Sequence, residues 1–388
     1  MDFELTDEQR LLKDSATRYV RERCSFESWR RWRSAGRQPA EELWSGMADM
    51  GWLALPFAAA DGGLDGGPLE TMLLMEALGH GLVAEPYLQS VVQAGEVLRR
   101  STYGHSRTAR IADLIEGRCR LAMACDEVSA PYARDLVRST AEPAGDGWCL
   151  QGEKCVVLGG DAAKAFIVSA QAPGGLCLFW VDANSVGLTR HIYPLVDGGR
   201  GANLTLFNVY VRDEARLCEP GHAVELLNHA NQVGLAALGA EAVGLVDLLL
   251  AQTLSYTRAR RQFGLALAHF QVLRHRMVDM FMQAEQLRSM VLLATIQLAE
   301  GHADVNRVLS GLKVQVGKVG RFVSQQAVQL HGGMGMSDEI VVGHAFKRLL
   351  SLDAHLGNVD HHLRQFAAQS QVPYGLGSMG NCASSLSC

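Results

Sequence analysis

The chain has 388 residues, 48% of them hydrophobic and 20% charged, with a formal net charge of −5. That length accommodates two or three domains with substantial cores, in a composition ordinary for a globular protein. The slight acidic excess, without any long basic block, argues against nucleic acid as a partner, and the segment Trp29-Arg30-Arg31-Trp32-Arg33 reads as a solvated helix end with snorkelling arginines.

Residues 1–120 read as a helical domain with breaks at Gly51, Asp61-Gly62-Gly63 and Gly66-Gly67, and with an amphipathic helix over Glu70–Leu82. The texture changes over 121–222. Short β-branched or aromatic runs (Phe166-Ile167-Val168, Leu176–Val181, Leu204–Val211) alternate there with Gly, Asp, Asn and Pro turns, which predicts a β domain. Helical periodicity returns over 223–370, with helices at 223–260, 270–300, 303–331 and 340–368 that suggest a four-helix bundle. The expected fold is therefore mostly α with a central β domain. The longest apolar run, near 233–251, is interrupted by Glu241 and Asp247 and reads as a buried helix, not a membrane span. Residues 371–388 carry no charge and are rich in Gly and Ser, the composition of a disordered tail.

The cysteines, at 24, 119, 125, 149, 155, 177, 218, 382 and 388, include no CxxC and no Cys/His pair at metal spacing, so no metal site is expected. Acidic residues at 2, 4, 7 and 8 stand where a secretory leader would be apolar. Reduced thiols and a cytoplasmic location fit this pattern.

Two segments carry chemistry. In Tyr256–Gln271 (YTRARRQFGLALAHFQ), Arg258, Arg260 and Arg261 precede Gln262-Phe263-Gly264 after a long apolar helix. In QLHGGMG, residues 329–335, another helix ends in a double glycine. Cations, an amide and an aromatic ring at a chain break suit a phosphate-bearing, flat-ringed ligand, because the guanidinium fork matches phosphate oxygens. The competing reading is an exposed basic helix end followed by a turn, and a glycine C-cap.

These segments resemble the flavin-binding segments of the acyl-CoA dehydrogenase family. MDFELTDEQRLLKDSATRYV resembles that family's first helix, LWSGMADMGWLALPFAAADGGLDGG its following helix and loop, and GDGWCLQGEKCVVLGGDAAKAFIVSA its middle strands. The likeness implies a helical domain, a β-barrel-like domain and a C-terminal four-helix bundle. It also implies FAD-dependent formation of a Cα=Cβ double bond in an acyl-CoA, with electrons leaving through an electron-transfer flavoprotein. By resemblance, Arg260 would bind the pyrophosphate with Gln262 and Phe263 beside it. Phe270 and Gln271 would flank the adenosine, and Gln329, Gly332 and Gly333 would line the cofactor from a facing subunit. An oligomer, homomeric or with a homologous chain, follows.

The chain departs from the family at two places. Cys125–Tyr132 replaces a Thr-Glu-Pro-Gly loop, and Val156-Val157-Leu158 replaces a Trp-x-Thr that faces the flavin, as in a bacterial subgroup acting on bulky or steroid-type acyl-CoAs. The family's proton-abstracting glutamate falls on Leu356, and its alternative place, in the first bundle helix, falls on Gly234. Glu241, about 10 Å further along the same helix face, is one substitute base, since burial would raise its pKa. Pairing with a cation inside the bundle is the competing role. Asp353 is a second candidate, and His355, beside the vacant position, a possible relay. If no base exists, the chain would be a partner that completes the flavin sites of a heteromer.

Overall fold

The computed structural model describes residues 4–34, 40–83, 85–101 and 106–369, so the tail expected over 371–388 lies outside the described residues. Helix α1 (Asp7–Arg23) opens on a capping box in which Thr6 and Gln9 exchange side-chain and backbone hydrogen bonds. Helices α2 (Phe26–Ser34), α3 (Ala40–Asp49), α4 (Pro68–His80), α5 (Gly95–Arg100) and α6 (Arg107–Ile115) complete the first helical set. The amphipathic helix expected over Glu70–Leu82 is α4, but Met72, Leu73, Leu74, Met75, Ala77 and Leu78 are all buried, so other helices cover it on most sides. A wide π turn, Leu88–Ala94, leads directly into α5.

The middle of the chain forms one curled seven-stranded sheet: β1 (Leu121–Ala124), β2 (Thr140–Ala144), β3 (Gly147–Leu158), β4 (Ala165–Ala172), β5 (Gly175–Asp182), β6 (Leu188–Pro194) and β7 (Arg200–Arg212). The spatial order is β1-β4-β2-β3-β7-β6, with β5 also paired to β4. The β3–β7 ladder slips register at Leu150/Gly152 and again at Lys154/Val157. Such bulges bend a strand and re-aim its side chains. The second one leaves Val156 with a φ of 51°, a left-handed conformation that is costly for a β-branched residue.

Helix α7 (Ala223–Ala259) begins the bundle. It is long and apolar enough to cross a membrane, yet 89% of its most apolar window is buried inside the fold, as a core helix requires. A hairpin of β8 (Arg261–Gln262) and β9 (Leu265–Ala266) leads to α8 (Gln271–Glu300), then α9 (Val305–His331). The single helix expected over 340–368 is in fact two, α10 (Val341–Ala354) and α11 (Val359–Ala368). Leu356 (φ 59°) and Gly357 (φ 103°) break it in left-handed backbone. Asn358 then restarts the helix by accepting the backbone N–H of His361. His361 and His362 thus sit on a different helix from Asp353.

The N-terminal helices meet the bundle at a crossing of small residues. A Cβ at Gly79 of α4 would lie 2.2 Å from the Glu241 carbonyl oxygen, and one at Gly244 of α7 would lie 2.1 Å from that of Glu76. The two backbones are too close for side chains. Gly244→Leu should therefore force the helices apart and cost about 3 kcal/mol, measured as a lowered urea midpoint at unchanged m-value.

Candidate active site

Where the curled sheet faces the bundle, a cavity of about 700 Å³ opens, a volume in the range of small-molecule sites. The sheet contributes Met123 from β1, Cys155, Val156 and Leu158 from β3, and the loop residues Asp126 to Arg134. From the bundle come Asn231 and Leu235 of α7, Leu309 of α9, Arg348 of α10, and His355 and Leu356 of the break. Gln89 and Gln93 close the cavity from the π turn.

The loop after β1 is fixed by two ion pairs. Arg134 donates from Nε and Nη2 to the Asp126 carboxylate at 3.2 and 2.9 Å, and from Nη1 to Asn231 Oδ1 at 2.6 Å, tying loop to bundle. Glu127 accepts the buried Lys154 ammonium at 2.7 Å, the Ser139 hydroxyl at 2.7 Å and two backbone N–H groups. Burial alone would raise the Glu127 pKa, but these donors outweigh it and hold the carboxyl at about 2.

The break between α10 and α11 is equally constrained. Lys313, fully buried on α9, donates to the carbonyls of Asp353 (2.7 Å) and Gly357 (2.5 Å), and burial pulls its pKa down to about 8. His362 donates from Nε2 to the Leu356 carbonyl at 2.8 Å. Left-handed backbone at a non-glycine residue costs on the order of 1–3 kcal/mol, so these bonds hold Leu356 in place against local strain. Burial, reinforced by Arg134, Arg348 and Lys313, keeps the His355 pKa well below the usual range, so its imidazole is neutral at pH 7.

The two sequence positions at which a base is expected converge. A Cβ built at Gly234 would lie 3.1 Å from Leu356 Cδ1. The substitute carboxylates are committed elsewhere. Glu241 does not line the cavity, and its Oε1 accepts Arg348 Nε at 2.6 Å while Arg348 Nη1 donates to Asp197 at 2.9 Å. The cation-paired role weighed for Glu241 is the one the geometry presents. Burial would lower the Arg348 pKa, but the two carboxylates reverse that and raise it. Asp353 faces α9, 3.3 Å from Arg321 and packed against Gly317, and does not line the cavity. Each carboxylate that lines it (Asp126, Glu127, Asp197) is paired with a cation.

The residues expected to bind a flavin lie outside this cavity, on the bundle surface. Arg260, Gln262, Phe263 and Gln271 are exposed, and Phe263 is 90% exposed at the hairpin tip (φ 54°), its ring 6.2 Å from that of Phe270. Gln329, Gly332 and Gly333 are exposed at the end of α9. The two groups share one end of the bundle, because Tyr256 of α7 stacks on His331 at 4.4 Å. Gly332 adopts φ 60°, ψ −139°, a region open essentially to glycine, and nothing lies within 4 Å of a Cβ at Gly332 or Gly333. A ligand can approach that backbone closely. Cationic arginine, open glycines and exposed aromatics fit a flavin dinucleotide. Leu158 offers no side-chain donor to its ring, and the Val156 N–H is taken by Asn203 at 3.1 Å.

Sequence reasoning missed Gln93, Arg348, Asp197 and Lys313. Gln89 and Gln93, spaced i,i+4 in an apolar stretch, were the available signal for a polar cavity wall. The partners of Arg348 are 107 and 151 residues distant, beyond any local pattern.

Comparison with known proteins places this geometry in a family. The family models for the acyl-CoA dehydrogenase N-terminal and C-terminal domains match residues 6–100 and 227–371. The chain is 26% identical over 378 residues to the acyl-CoA dehydrogenase FadE27 of Mycobacterium tuberculosis, covering 95% of this chain and 98% of that one. It superimposes on a chain of the ChsE4-ChsE5 complex of Mycobacterium tuberculosis with a TM-score of 0.86 at 25% identity, covering 96% and 100% of the two chains. An acyl-CoA dehydrogenase from Geobacillus kaustophilus shares the fold with a TM-score of 0.89 at 19% identity, covering 96% and 100%.

Arg348→Met would leave Glu241 and Asp197 buried without their cation. We expect a loss of about 3–5 kcal/mol in unfolding free energy, measured by denaturant titration.

Proposed function

The chain belongs to the acyl-CoA dehydrogenase family, and on that premise we propose that it is an FAD-dependent flavoprotein acting in the α,β-dehydrogenation of an acyl-CoA thioester. The observation that carries this reading is the cavity between sheet and bundle, lined by Met123, Leu158 and Leu356, with a Cβ at Gly234 falling 3.1 Å from Leu356 Cδ1. FAD bound there would supply the acceptor for the hydride that leaves the substrate's β-carbon. Arg260, with Gln262 and Phe263, would hold the pyrophosphate, while Phe270 and Gln271 flank the adenosine. Gln329, Gly332 and Gly333 would complete the site of a neighbouring subunit. Exposed Val278, Phe281 and Met282 on α8 support an oligomer, because apolar surface of this kind marks interfaces. An electron-transfer flavoprotein is the electron acceptor this reading entails.

A second reading has its own support. Among the described residues no carboxylate lining the cavity is free of a cation, and the two base positions hold a leucine and a glycine. On this reading the chain completes the flavin sites of a homologous partner, and that partner takes the α-proton. Glu241 then serves to anchor Arg348.

Anaerobic titration with acyl-CoAs separates the two readings. Flavin bleaching by this chain alone supports catalysis by it. Bleaching only in the presence of a co-expressed homologue supports the partner role, and none in either state would refute both. Glu241→Gln should leave the reduction rate unchanged while lowering stability; a collapse of that rate would restore Glu241 as the base. Leu356→Glu should raise the rate by about 10²–10⁴, the usual contribution of a placed general base. Arg260→Ala should weaken FAD retention through desalting.

A further inference from the structure

Beside the vacant base position at Gly234 lies a side chain that the functional reading does not use. Gln93 is 1% exposed and lines the cavity from the π turn. A Cβ at Gly234 would stand 3.0 Å from Gln93 Nε2, and the same point is 3.1 Å from Leu356 Cδ1. The Gln93 amide therefore abuts the Gly234 position, in a cavity wall it shares with Leu356. Its Nε2 is buried and has no hydrogen-bond partner among the described residues.

A buried amide N–H left unpaired is costly, and native structures rarely tolerate it without a reason. An amide cannot serve as a base at neutral pH, but its NH2 group is a donor, and it is the donor end of Gln93 that has no partner among the described residues. Its location selects which part of a substrate it can reach. If the Gly234 position addresses the α-carbon, a group beside it lies alongside the first carbons of the acyl chain.

We propose that Gln93 is a specificity-determining residue that donates through Nε2 to an oxygen on the acyl group, borne on the carbon next to the reacting α,β pair. The substrate class is then a 4-oxygenated acyl thioester, such as a 4-oxo or 4-hydroxy acyl-CoA, not a plain hydrocarbon chain. This inference rests on the acyl-CoA reading of the cavity. Discrimination follows from the same physics as the unpaired amide. A thioester lacking the oxygen leaves the donor buried and unsatisfied, which is how polar pockets reject apolar analogues.

The test compares pentanoyl-CoA with 4-oxopentanoyl-CoA, ligands of equal chain length that differ at one carbon. Dissociation constants are measured by isothermal titration on the FAD-loaded protein. Wild type should prefer the oxo compound on the order of 10-fold, the scale of one buried hydrogen bond. Gln93→Leu should abolish that preference with little change in affinity for pentanoyl-CoA. Should that variant fail to retain FAD, Gln93→Met serves with the same expectation. Equal affinities in wild type, or an undiminished preference in the variant, would overturn the role of Gln93 and leave the functional reading intact. Binding of neither thioester would instead overturn the acyl-CoA reading, and the inference with it.

Discussion

The architecture around the cavity depends on one half-buried cation. Arg348 of α10 donates to Glu241 of α7 and to Asp197 of the loop between β6 and β7, so a single guanidinium joins two bundle helices to the sheet. Desolvating a charge is expensive, and a planar fork facing two carboxylates is a geometry that offsets it. The arrangement ties α7 and α10 to the β6–β7 loop at the cavity wall, which Arg348 and Asp197 line. Arg134 repeats the device on the other side by linking Asp126 to Asn231. Positioning and proton transfer compete for the same carboxylates here, and positioning has taken them.

That competition explains why the sequence was informative about architecture and less so about chemistry. The change from helical to alternating texture near 121 and back near 223 is set by local periodicity, and the strands and long helices follow it. The fourth bundle helix is two helices, and Gly357 followed by the N-cap residue Asn358 was the local signal of the break. The break depends on Lys313, which is 40 and 44 residues from the carbonyls it binds. Glu241 looked like a desolvated base because its own helix is apolar. Its cation comes from a helix 107 residues away.

The segments at 256–271 and 329–335 show the converse. Arg260, Phe263 and the double glycine stand out in sequence because a cation, an aromatic ring and paired glycines sit at chain breaks, and they lie exposed at one end of the bundle. Phe263, 90% exposed at the hairpin tip, is apolar surface that a bound ligand or a neighbouring chain would cover. The apolar face of α8 points the same way.

The central claim is that this surface holds FAD, and the visible absorption spectrum of the purified chain tests it most directly. After incubation with FAD and removal of free cofactor, the account predicts a bound-flavin spectrum with cofactor retained in proportion to protein. Protein that stays colourless after this treatment would contradict the account at its base.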